Sequence, residues 1–392
     1  MKRNLSIVIA ILLSMTVVIP SVSAQEKPEQ KSSELVDNAR SAILIERDTG
    51  SILYEKNGNE KLPPASMTKI MTMLLIMEAI DQGKLDWKEK VRTSEYAASM
   101  GGSQIFLEPG EEMTVEEMLK GIAIGSGNDA SVAMAERIAG AESAFVERMN
   151  EKANELGLKN THFNNTTGLP ADNHYSTAHD MAMMAKELLK YQDITKFTGT
   201  YEAYLRENSD KKFWLVNTNK LVRFYPGVDG LKTGFTGEAK YCLTATAQKE
   251  GMRVIAVVFG APTSKDRNAQ VSKMLDFAFA QYKTHPIYKR NTAVALTKVS
   301  KGSKKTLGIV TSEPISVLTK KGEDIKNVKK KIVINKDIKA PVNKGDQIGT
   351  LQLVSKGKVL TESPLVANES IKTATWWELY KRSFGMFSKM SD

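Results

Sequence analysis

The chain has 392 residues and a formal net charge of +10, and 41% of its residues are hydrophobic. These values are ordinary for a soluble protein of two or three domains with a buried core. A single cysteine, Cys242, excludes an internal disulfide bond. Its apolar, strand-like surroundings indicate a buried small side chain rather than a nucleophile.

The first 24 residues are typical of a secretory signal peptide. Lys2 and Arg3 form a charged start, residues 5–19 are almost wholly apolar, and residues 22–24 offer a cleavage site of small residues. We therefore expect an exported protein, with an uncleaved N-terminal anchor as the alternative. For an exported basic chain, anionic lipid head groups and anionic wall polymers are more natural partners than nucleic acid.

The four histidines do not lie at the spacing of a zinc site. His174 and His179 are five residues apart, in a polar loop and at a helix start, where solvated or capping histidines are expected. The sequence therefore predicts no metal, no other cofactor and no histidine-based triad.

The order of predicted elements indicates an α+β domain. Residues 41–54 are typical of a hairpin, and residues 66–82 predict a helix that is apolar on nearly every side and therefore central. Thr114 and Glu117 form a capping box at the start of another helix, which ends near residues 126–129. Further helices are predicted over 145–156, 179–189 and 271–282, with strands over 243–247 and 254–259. An antiparallel sheet with helices packed on it is expected, over residues 25–290.

The C-terminal part differs in composition. Residues 291–368 are rich in lysine and contain short strand-like runs separated by turn signals, which predicts a small all-β domain. Within it, residues 329–331 are three lysines that we interpret as a solvated strand edge. Residues 369–392 place tryptophan, tyrosine and phenylalanine on one helix side and basic residues on the other, which is typical of a helix lying on a membrane surface. A helix docked on the β domain is the alternative.

Ser66 and Lys69 lie three apart at the start of the apolar helix, and therefore on one helix face. A lysine whose charge is disfavoured by burial or by a second cation can act as the base for a serine nucleophile. The pattern Ser-x-x-Lys recurs at residues 209–212 and 355–358, so alone it is a weak signal. Two companions strengthen it: Ser126-Gly127-Asn128 between two helices, and Lys232-Thr233-Gly234 at the start of the strand-rich part.

With the motifs SMTK, SGN and KTGFT in this order, the chain resembles the low-molecular-weight penicillin-binding proteins of the D-alanyl-D-alanine carboxypeptidase type. The resemblance implies a transpeptidase/β-lactamase-like catalytic domain. It also implies that Ser66 attacks the carbonyl between the two terminal D-alanines of a peptidoglycan stem peptide. Penicillin and other β-lactams would acylate the same serine, and the protein would act in cell-wall biogenesis or remodelling, peripherally bound at the outer face of the cytoplasmic membrane.

The resemblance also implies roles for the residues that make the acyl-enzyme. Lys69 would accept the proton of Ser66, and Ser126 would relay a proton to the leaving amine. The backbone N–H groups of Ser66 and Phe235 would form the oxyanion hole. Gly234 would let the strand edge approach the substrate closely.

Other residues would bind the substrate. Asn128 would position its backbone, Lys232 would add positive potential, and Thr233 would hydrogen-bond the terminal carboxylate. Arg267 is our candidate for a cation that meets this carboxylate, and a surface arginine at a helix start is the alternative.

Two other functions remain open on the sequence. A class A β-lactamase would carry a deacylating glutamate in the loop before the KTG motif, and residues 164–168 contain none. A penicillin-binding sensor or scaffold with little turnover would carry the same motifs. Phe235 stands where some relatives have histidine, which puts an acid–base role at this position in doubt.

Overall fold

A computed structural model describes residues 35–323, 325, 328–355 and 357–380 of the protein. The predicted signal peptide, residues 1–24, lies outside the described residues, as do residues 381–392 of the predicted terminal helix.

The N-terminal part of the described chain is built on an antiparallel sheet. Its strands are β1 Ser41–Glu46, β2 Ile52–Lys56, β7 Val228–Thr236, β8 Lys240–Lys249 and β9 Met252–Ala261. They are ordered β2-β1-β9-β8-β7, so β7 is an edge strand. The predicted hairpin is confirmed as β1 and β2, which pair in antiparallel register. Two short hairpins lie outside this sheet: β3 Lys90–Arg92 with β4 Glu112–Thr114, and β5 Glu202–Leu205 with β6 Phe213–Val216.

Helices cover both faces of the sheet. They are a 3-10 turn Ala65–Thr68, α1 Lys69–Asp81, α2 Glu95–Ala98, α3 Val115–Ala123, α4 Asn128–Ala139, α5 Glu142–Glu155, α6 Ala178–Leu188, α7 Ile194–Thr198, α8 Leu221–Phe224 and α9 Ser264–Gln281. Alternate residues of β1 face opposite sides: Ile43 joins the core with α1 and α3 to α6, and Leu44 joins the core under α9. The predicted capping box at Thr114 and Glu117 is present at the start of α3. The expected α+β class is confirmed.

The C-terminal part is the expected small all-β domain. Strands β11 Ala293–Lys298, β12 Thr306–Thr311, β14 Lys329–Ile334, β15 Gln347–Ser355 and β16 Lys358–Ala367 form a sheet ordered β11-β12-β16-β15-β14. A separate pair joins β10 Tyr282–Tyr288 to β13 Ile315–Lys320. The three lysines at the start of β14 are exposed on an edge strand, as the sequence predicted.

The end of the described chain is tied to this β domain. Ile371 is buried and pairs with Val342, and Ala374 is also buried. Helical residues begin at Trp376, whose ring stacks on that of Tyr380 at 5.4 Å between centroids. Across the residues that the structure describes, no helix combines the length and the apolar character needed to cross a membrane.

Candidate active site

Ser66 and Lys69 meet where the 3-10 turn passes into α1. Lys69 is the first residue of α1, and its side chain is fully buried. Its Nζ lies 3.2 Å from Ser66 Oγ and 2.7 Å from the carbonyl oxygen of Thr167. The structure therefore brings the predicted nucleophile and the predicted base into hydrogen-bond contact.

The surroundings of Lys69 disfavour its charge. Burial lowers the pKa of Lys69 well below its ordinary value, and the positive charge of Lys232 lowers it further, against an opposing effect of Asp129. A neutral amine still donates one N–H to Thr167, and its lone pair is then available to the hydroxyl proton of Ser66. Lys69 therefore has the position of a general base, and the lowering of its pKa favours the neutral amine that this role requires.

The loop that supplies the Thr167 carbonyl is rigidly held. The side-chain oxygen of Asn165 accepts hydrogen bonds from the backbone N–H groups of Thr167 and Gly168, at 3.1 and 2.7 Å. Gly168 has φ +83°, and a Cβ on it would lie 1.8 Å from the carbonyl oxygen of Ala65, the neighbour of Ser66. Only glycine therefore permits this close contact. Glu142 accepts hydrogen bonds from the backbone and hydroxyl of Thr166 and so fixes the start of the loop.

Ser126 and Asn128 are both buried, at the passage from α3 to α4. Ser126 lies between α3 and α4 with φ +63°, a left-handed conformation that is strained for serine. The Asn128 amide nitrogen donates to the carbonyl of Gly101 at 2.6 Å. In the part of the chain that the structure describes, Ser126 Oγ and Asn128 Oδ1 have no hydrogen-bond partner. Buried polar atoms of this kind call for an explanation, and a bound substrate supplies one.

Asp129, which the sequence analysis did not single out, fixes the segment next to these two residues. Its carboxylate accepts hydrogen bonds from the backbone N–H groups of Ile105 and Leu107, at 3.0 to 3.1 Å. The side chain is almost fully buried. Asp129 therefore holds the loop after residue 101 against the start of α4.

Strand β7 contributes a second buried lysine. Burial and the charge of Arg267 lower the pKa of Lys232 to about 7. Its Nζ donates to the carbonyl of Thr233 at 3.2 Å, and the Thr233 hydroxyl lies 2.7 Å from that of Thr218. Thr218 follows β6 and was not predicted to take part in the site. The groups around Lys232 therefore combine positive charge with two hydroxyls, which suits a carboxylate.

Arg267 is buried rather than exposed, so the alternative of a surface arginine does not describe its position. It lies in the first turn of α9, and its Nε and Nη2 donate to the side-chain oxygen of Asn268 at 3.0 and 2.9 Å. Burial lowers the pKa of Arg267, and its charge acts on Lys232. The two cations therefore belong to one electropositive region.

Gly234 and Phe235 follow on the same strand. A Cβ on Gly234 would lie 2.6 Å from the carbonyl oxygen of Pro64, so glycine lets β7 approach the segment that carries Ser66. The Phe235 side chain is exposed, and its ring lies 4.5 Å from the ring of Tyr241. This position therefore presents an aromatic surface beside the serine.

His174 was expected to be solvated or capping, and this prediction is wrong. The residues around it fold back onto the segment that precedes Ser66 through a bridge between Leu62 and Ser176, and His174 is buried. Its Nδ1 accepts from the backbone N–H of Asn164 at 3.1 Å, so Nε2 carries the proton and donates to the Thr68 hydroxyl at 2.8 Å. Burial lowers the pKa of His174 to about 4, which keeps the ring neutral. No local sequence signal indicates this contact.

Ser66 lies beside a buried lysine whose charge is disfavoured, and the edge strand of the sheet carries a second buried lysine. This arrangement is typical of a serine acyl-transfer enzyme. Residues 26–263 match the D-alanyl-D-alanine carboxypeptidase family, peptidase family S11, and residues 282–373 match the C-terminal domain of penicillin-binding protein 5. The chain belongs to this family of D-alanyl-D-alanine carboxypeptidases, as its three motifs predicted.

Curated relatives align with this chain over nearly its whole length. The D-alanyl-D-alanine carboxypeptidase DacF of Bacillus subtilis (strain 168) is 65% identical over 389 residues, which cover 99% of this chain and 100% of the relative. DacC of Escherichia coli (strain K12) is 34% identical, covering 90% and 88% of the two chains.

Solved structures of penicillin-binding proteins and a related DD-transpeptidase share the fold of this chain. Penicillin-binding protein 5 from Haemophilus influenzae superimposes with a TM-score of 0.65 at 30% identity, covering 86% of this chain and 98% of that one. A mutant of the Streptomyces K15 DD-transpeptidase gives 0.58 at 29% identity, covering 62% and 98%.

Proposed function

We propose that the chain removes the terminal D-alanine from peptidoglycan stem pentapeptides through an acyl-enzyme on Ser66. The observation that carries this proposal is the 3.2 Å contact between Lys69 Nζ and Ser66 Oγ, with Lys69 fully buried. Family membership makes the reaction class that of a serine D-Ala-D-Ala carboxypeptidase.

Acylation uses the two serines and the lysine. Ser66 Oγ attacks the carbonyl carbon between the two D-alanines while its proton passes to Lys69. The backbone N–H groups of Ser66 and Phe235 stabilise the oxyanion. The C–N bond then breaks, and the departing amine takes up a proton through Ser126, whose hydroxyl is otherwise unpartnered within the described residues. Water hydrolyses the resulting ester, and Ser66 regains its proton.

Recognition of the substrate uses the neighbouring polar groups. The side-chain oxygen of Asn128, which has no hydrogen-bond partner among the described residues, accepts a backbone N–H of the peptide. Thr233 and the positive charges of Lys232 and Arg267 meet the terminal carboxylate, which explains two buried cations so close together. Gly234 brings this strand close enough to Ser66 for both ends of the dipeptide to be held at once.

The proposed location is the outer face of the cytoplasmic membrane. The predicted signal peptide, residues 1–24, supports export. Trp376, Trp377 and Tyr380 are exposed at the end of the described chain, where aromatic side chains suit a membrane interface. We propose that the segment after residue 374 holds the enzyme at the membrane surface. The β domain would then lie between this segment and the catalytic part.

Turnover of a minimal substrate tests the proposal. The protein lacking residues 1–24 would be incubated with Nα,Nε-diacetyl-L-Lys-D-Ala-D-Ala, and released D-alanine would be measured for the wild type and for Ser66→Ala. Many turnovers by the wild type and none by Ser66→Ala are expected. A single equivalent of D-alanine per enzyme, with Ser66 then blocked, would instead identify a sensor, and D-alanine release by Ser66→Ala would exclude Ser66 as the nucleophile.

A further inference from the structure

The positive charge of the chain is concentrated in the β domain. Residues 291–374 contain 16 lysines, no arginine and seven acidic residues, so nearly all of the net charge of +10 lies there. Lysine is a compact, strongly hydrated point charge, whereas arginine holds a single phosphate or carboxylate through a planar fork. A surface with lysine alone therefore suits diffuse attraction to many anionic groups better than recognition of one anion.

Five exposed lysines lie at the end of the β domain where the chain leaves it. We call them the distal lysine surface: Lys301, Lys305, Lys339, Lys344 and Lys372. The ion pair found in this region joins a different lysine, Lys304, to Glu369. Within the described part of the chain, none of the five lysines of the distal surface has an ion-pair partner, so their charges face solvent.

Backbone contacts place these lysines beside residues 370–374. The carbonyl oxygen of Lys301 accepts a hydrogen bond from the N–H of Ala374 at 2.8 Å, and that of Lys372 accepts one from the N–H of Ser303 at 2.7 Å. Trp376 follows two residues after this contact. The distal lysine surface therefore borders the start of the aromatic segment.

Two further lysines are held at the same place by neighbouring turns. The N–H of Lys344 donates to Ser370 Oγ at 2.9 Å. Lys339 forms a bridge with Ser300, the residue before Lys301. The lysines come from four different stretches of the chain, and the fold brings them together.

The carboxylates of this region do not cancel the positive charge. They are Asp337, Asp346, Glu369 and Glu378. Asp346 and Glu378 accept hydrogen bonds from the backbone N–H groups of Asn343 and Thr375, both at 2.7 Å. With Lys304 and Lys336, the region holds seven lysines against these four carboxylates, so its net charge is positive.

The distal lysine surface and the catalytic part lie at opposite ends of β12. This strand begins next to Lys305 and ends at Thr311, about 17 Å away for six residues of strand. Just beyond it, Glu313 pairs with Lys186 of α6 at 3.3 Å. The lysines therefore lie at the end of the β domain that is remote from the catalytic part.

We propose that the distal lysine surface binds anionic phospholipid head groups beside the exposed rings of Trp376, Trp377 and Tyr380. The inference rests on the proposed membrane location and goes beyond it, because it gives the β domain its own membrane contact and requires anionic lipid. Aromatic rings suit the interface between lipid and water, which a dissolved polyanion does not offer, so the adjacent rings favour a membrane over a wall polymer. A single apolar contact binds membranes reversibly, and an adjacent basic patch strengthens the binding.

Binding to vesicles of two compositions tests this inference. The protein lacking residues 1–24 would be mixed with vesicles of phosphatidylcholine alone, or of phosphatidylcholine and phosphatidylglycerol in equal parts. The bound fraction would be measured by sedimentation as the lipid concentration is varied. The distal variant carries three changes: Lys301→Gln, Lys305→Gln and Lys372→Gln.

The matched control variant removes the same charge from the other end of the β domain. It carries Lys321→Gln, Lys329→Gln and Lys358→Gln, all at exposed lysines. Lys329 and Lys358 pair with the last two residues of β15, about 26 Å along this strand from its start beside the distal surface. The N–H of Lys321 donates to the carbonyl of Gln281 at the end of α9.

The wild type and the control variant should bind the mixed vesicles equally well. The distal variant should bind them about 100-fold more weakly, which is about fivefold for each lysine removed. On phosphatidylcholine alone the three proteins should bind alike, and added salt should remove the advantage of the wild type on mixed vesicles. All three should release D-alanine from the diacetyl peptide at the same rate, which shows that they are folded.

Failure of this inference is distinct from failure of the proposed location. Equal binding of the wild type to both kinds of vesicle would overturn the inference and leave the membrane location intact. Equal losses in the distal and control variants would also overturn it, because binding would then follow net charge alone. If the distal variant lost binding to sodium polyphosphate but not to vesicles, the surface would be assigned to an anionic polymer instead. Absence of binding to either vesicle would overturn the proposed location and the inference with it.

Discussion

Replacing Lys69 with methionine separates catalysis from stability. Methionine has a similar length and is apolar, so the buried space of Lys69 stays filled while the amine 3.2 Å from Ser66 Oγ is removed. Loss of a positioned general base lowers rates by about 10²- to 10⁴-fold. The acylation rate constant should fall by this factor, which corresponds to about 3 to 5 kcal/mol in activation free energy.

Stability should respond weakly to the same change. The Thr167 carbonyl loses its hydrogen bond from Lys69, which costs about 1 to 3 kcal/mol for a buried acceptor. Removal of a buried amine offsets part of this cost, because burial penalises its charged form. The free energy of unfolding should therefore change by less than about 2 kcal/mol.

The lowered pKa of Lys69 determines how the free energy of unfolding changes with pH. The pKa of Lys69 is lower in the folded than in the unfolded protein, so the unfolded state binds the additional proton. Stability from this group therefore rises with pH up to about 10.5 and is reduced below it. Lys69→Met lacks this contribution. Relative to the wild type, the free energy of unfolding of the variant is therefore most favourable at neutral pH and becomes less favourable as pH rises.

The assay is a time course of labelling by a fluorescent penicillin, with urea unfolding measured in parallel. Lys152→Met is the matched control, because Lys152 is paired with Glu78 and Glu155 at 2.9 and 2.6 Å, away from Ser66. This control should label at the wild-type rate. Wild-type labelling of folded Lys69→Met would refute the assignment of Lys69 as the base.

Lys232 sets the alkaline limit of substrate capture, because its side chain loses its positive charge in the free enzyme as pH rises through about 7. The value of kcat/KM should therefore fall above this pH. In Lys232→Arg the decline should move to higher pH. An unmoved decline would contradict this assignment. Gly168→Ala should destroy labelling by penicillin, because its Cβ would lie 1.8 Å from the Ala65 carbonyl oxygen. Gly140 also has a positive φ, +86°, but has open space around it. Gly140→Ala should therefore cost about 1 kcal/mol in unfolding free energy and label normally. Equal effects of the two alanines would refute the packing argument. Removal of residues 375–392 should release an active enzyme from membranes in a fractionation experiment, and full retention would exclude this segment as the anchor.

Periodicity and capping predicted much of the fold. The hairpin of β1 and β2, the buried helix α1 and the capping box at Thr114 are local patterns, and all three are confirmed. The β5–β6 hairpin was missed, because its two short strands are separated by a polar stretch without a tight-turn signature. Strand β10 was missed because it follows α9 directly and contains Pro286, which is unusual in a strand.

In the candidate site, too, the features with a local sequence signal were predicted and those without one were missed. Ser66, Lys69, Ser126 and Lys232 lie in short motifs, so the sequence could name them. The Thr167 carbonyl that holds Lys69 is a backbone atom, and residue identity carries no signal for it. His174 reaches Thr68 across 106 residues of chain, through a loop whose polar composition predicted solvent exposure.

The most direct test of the central claim, that Ser66 is a nucleophile activated by Lys69, is the mass of the protein after reaction with a β-lactam. We predict the addition of one intact β-lactam to the wild type, located by peptide mapping on Ser66. Ser66→Ala should gain no mass, and Lys69→Met should gain it far more slowly. An adduct on another serine, or one that survives Ser66→Ala, would contradict the account.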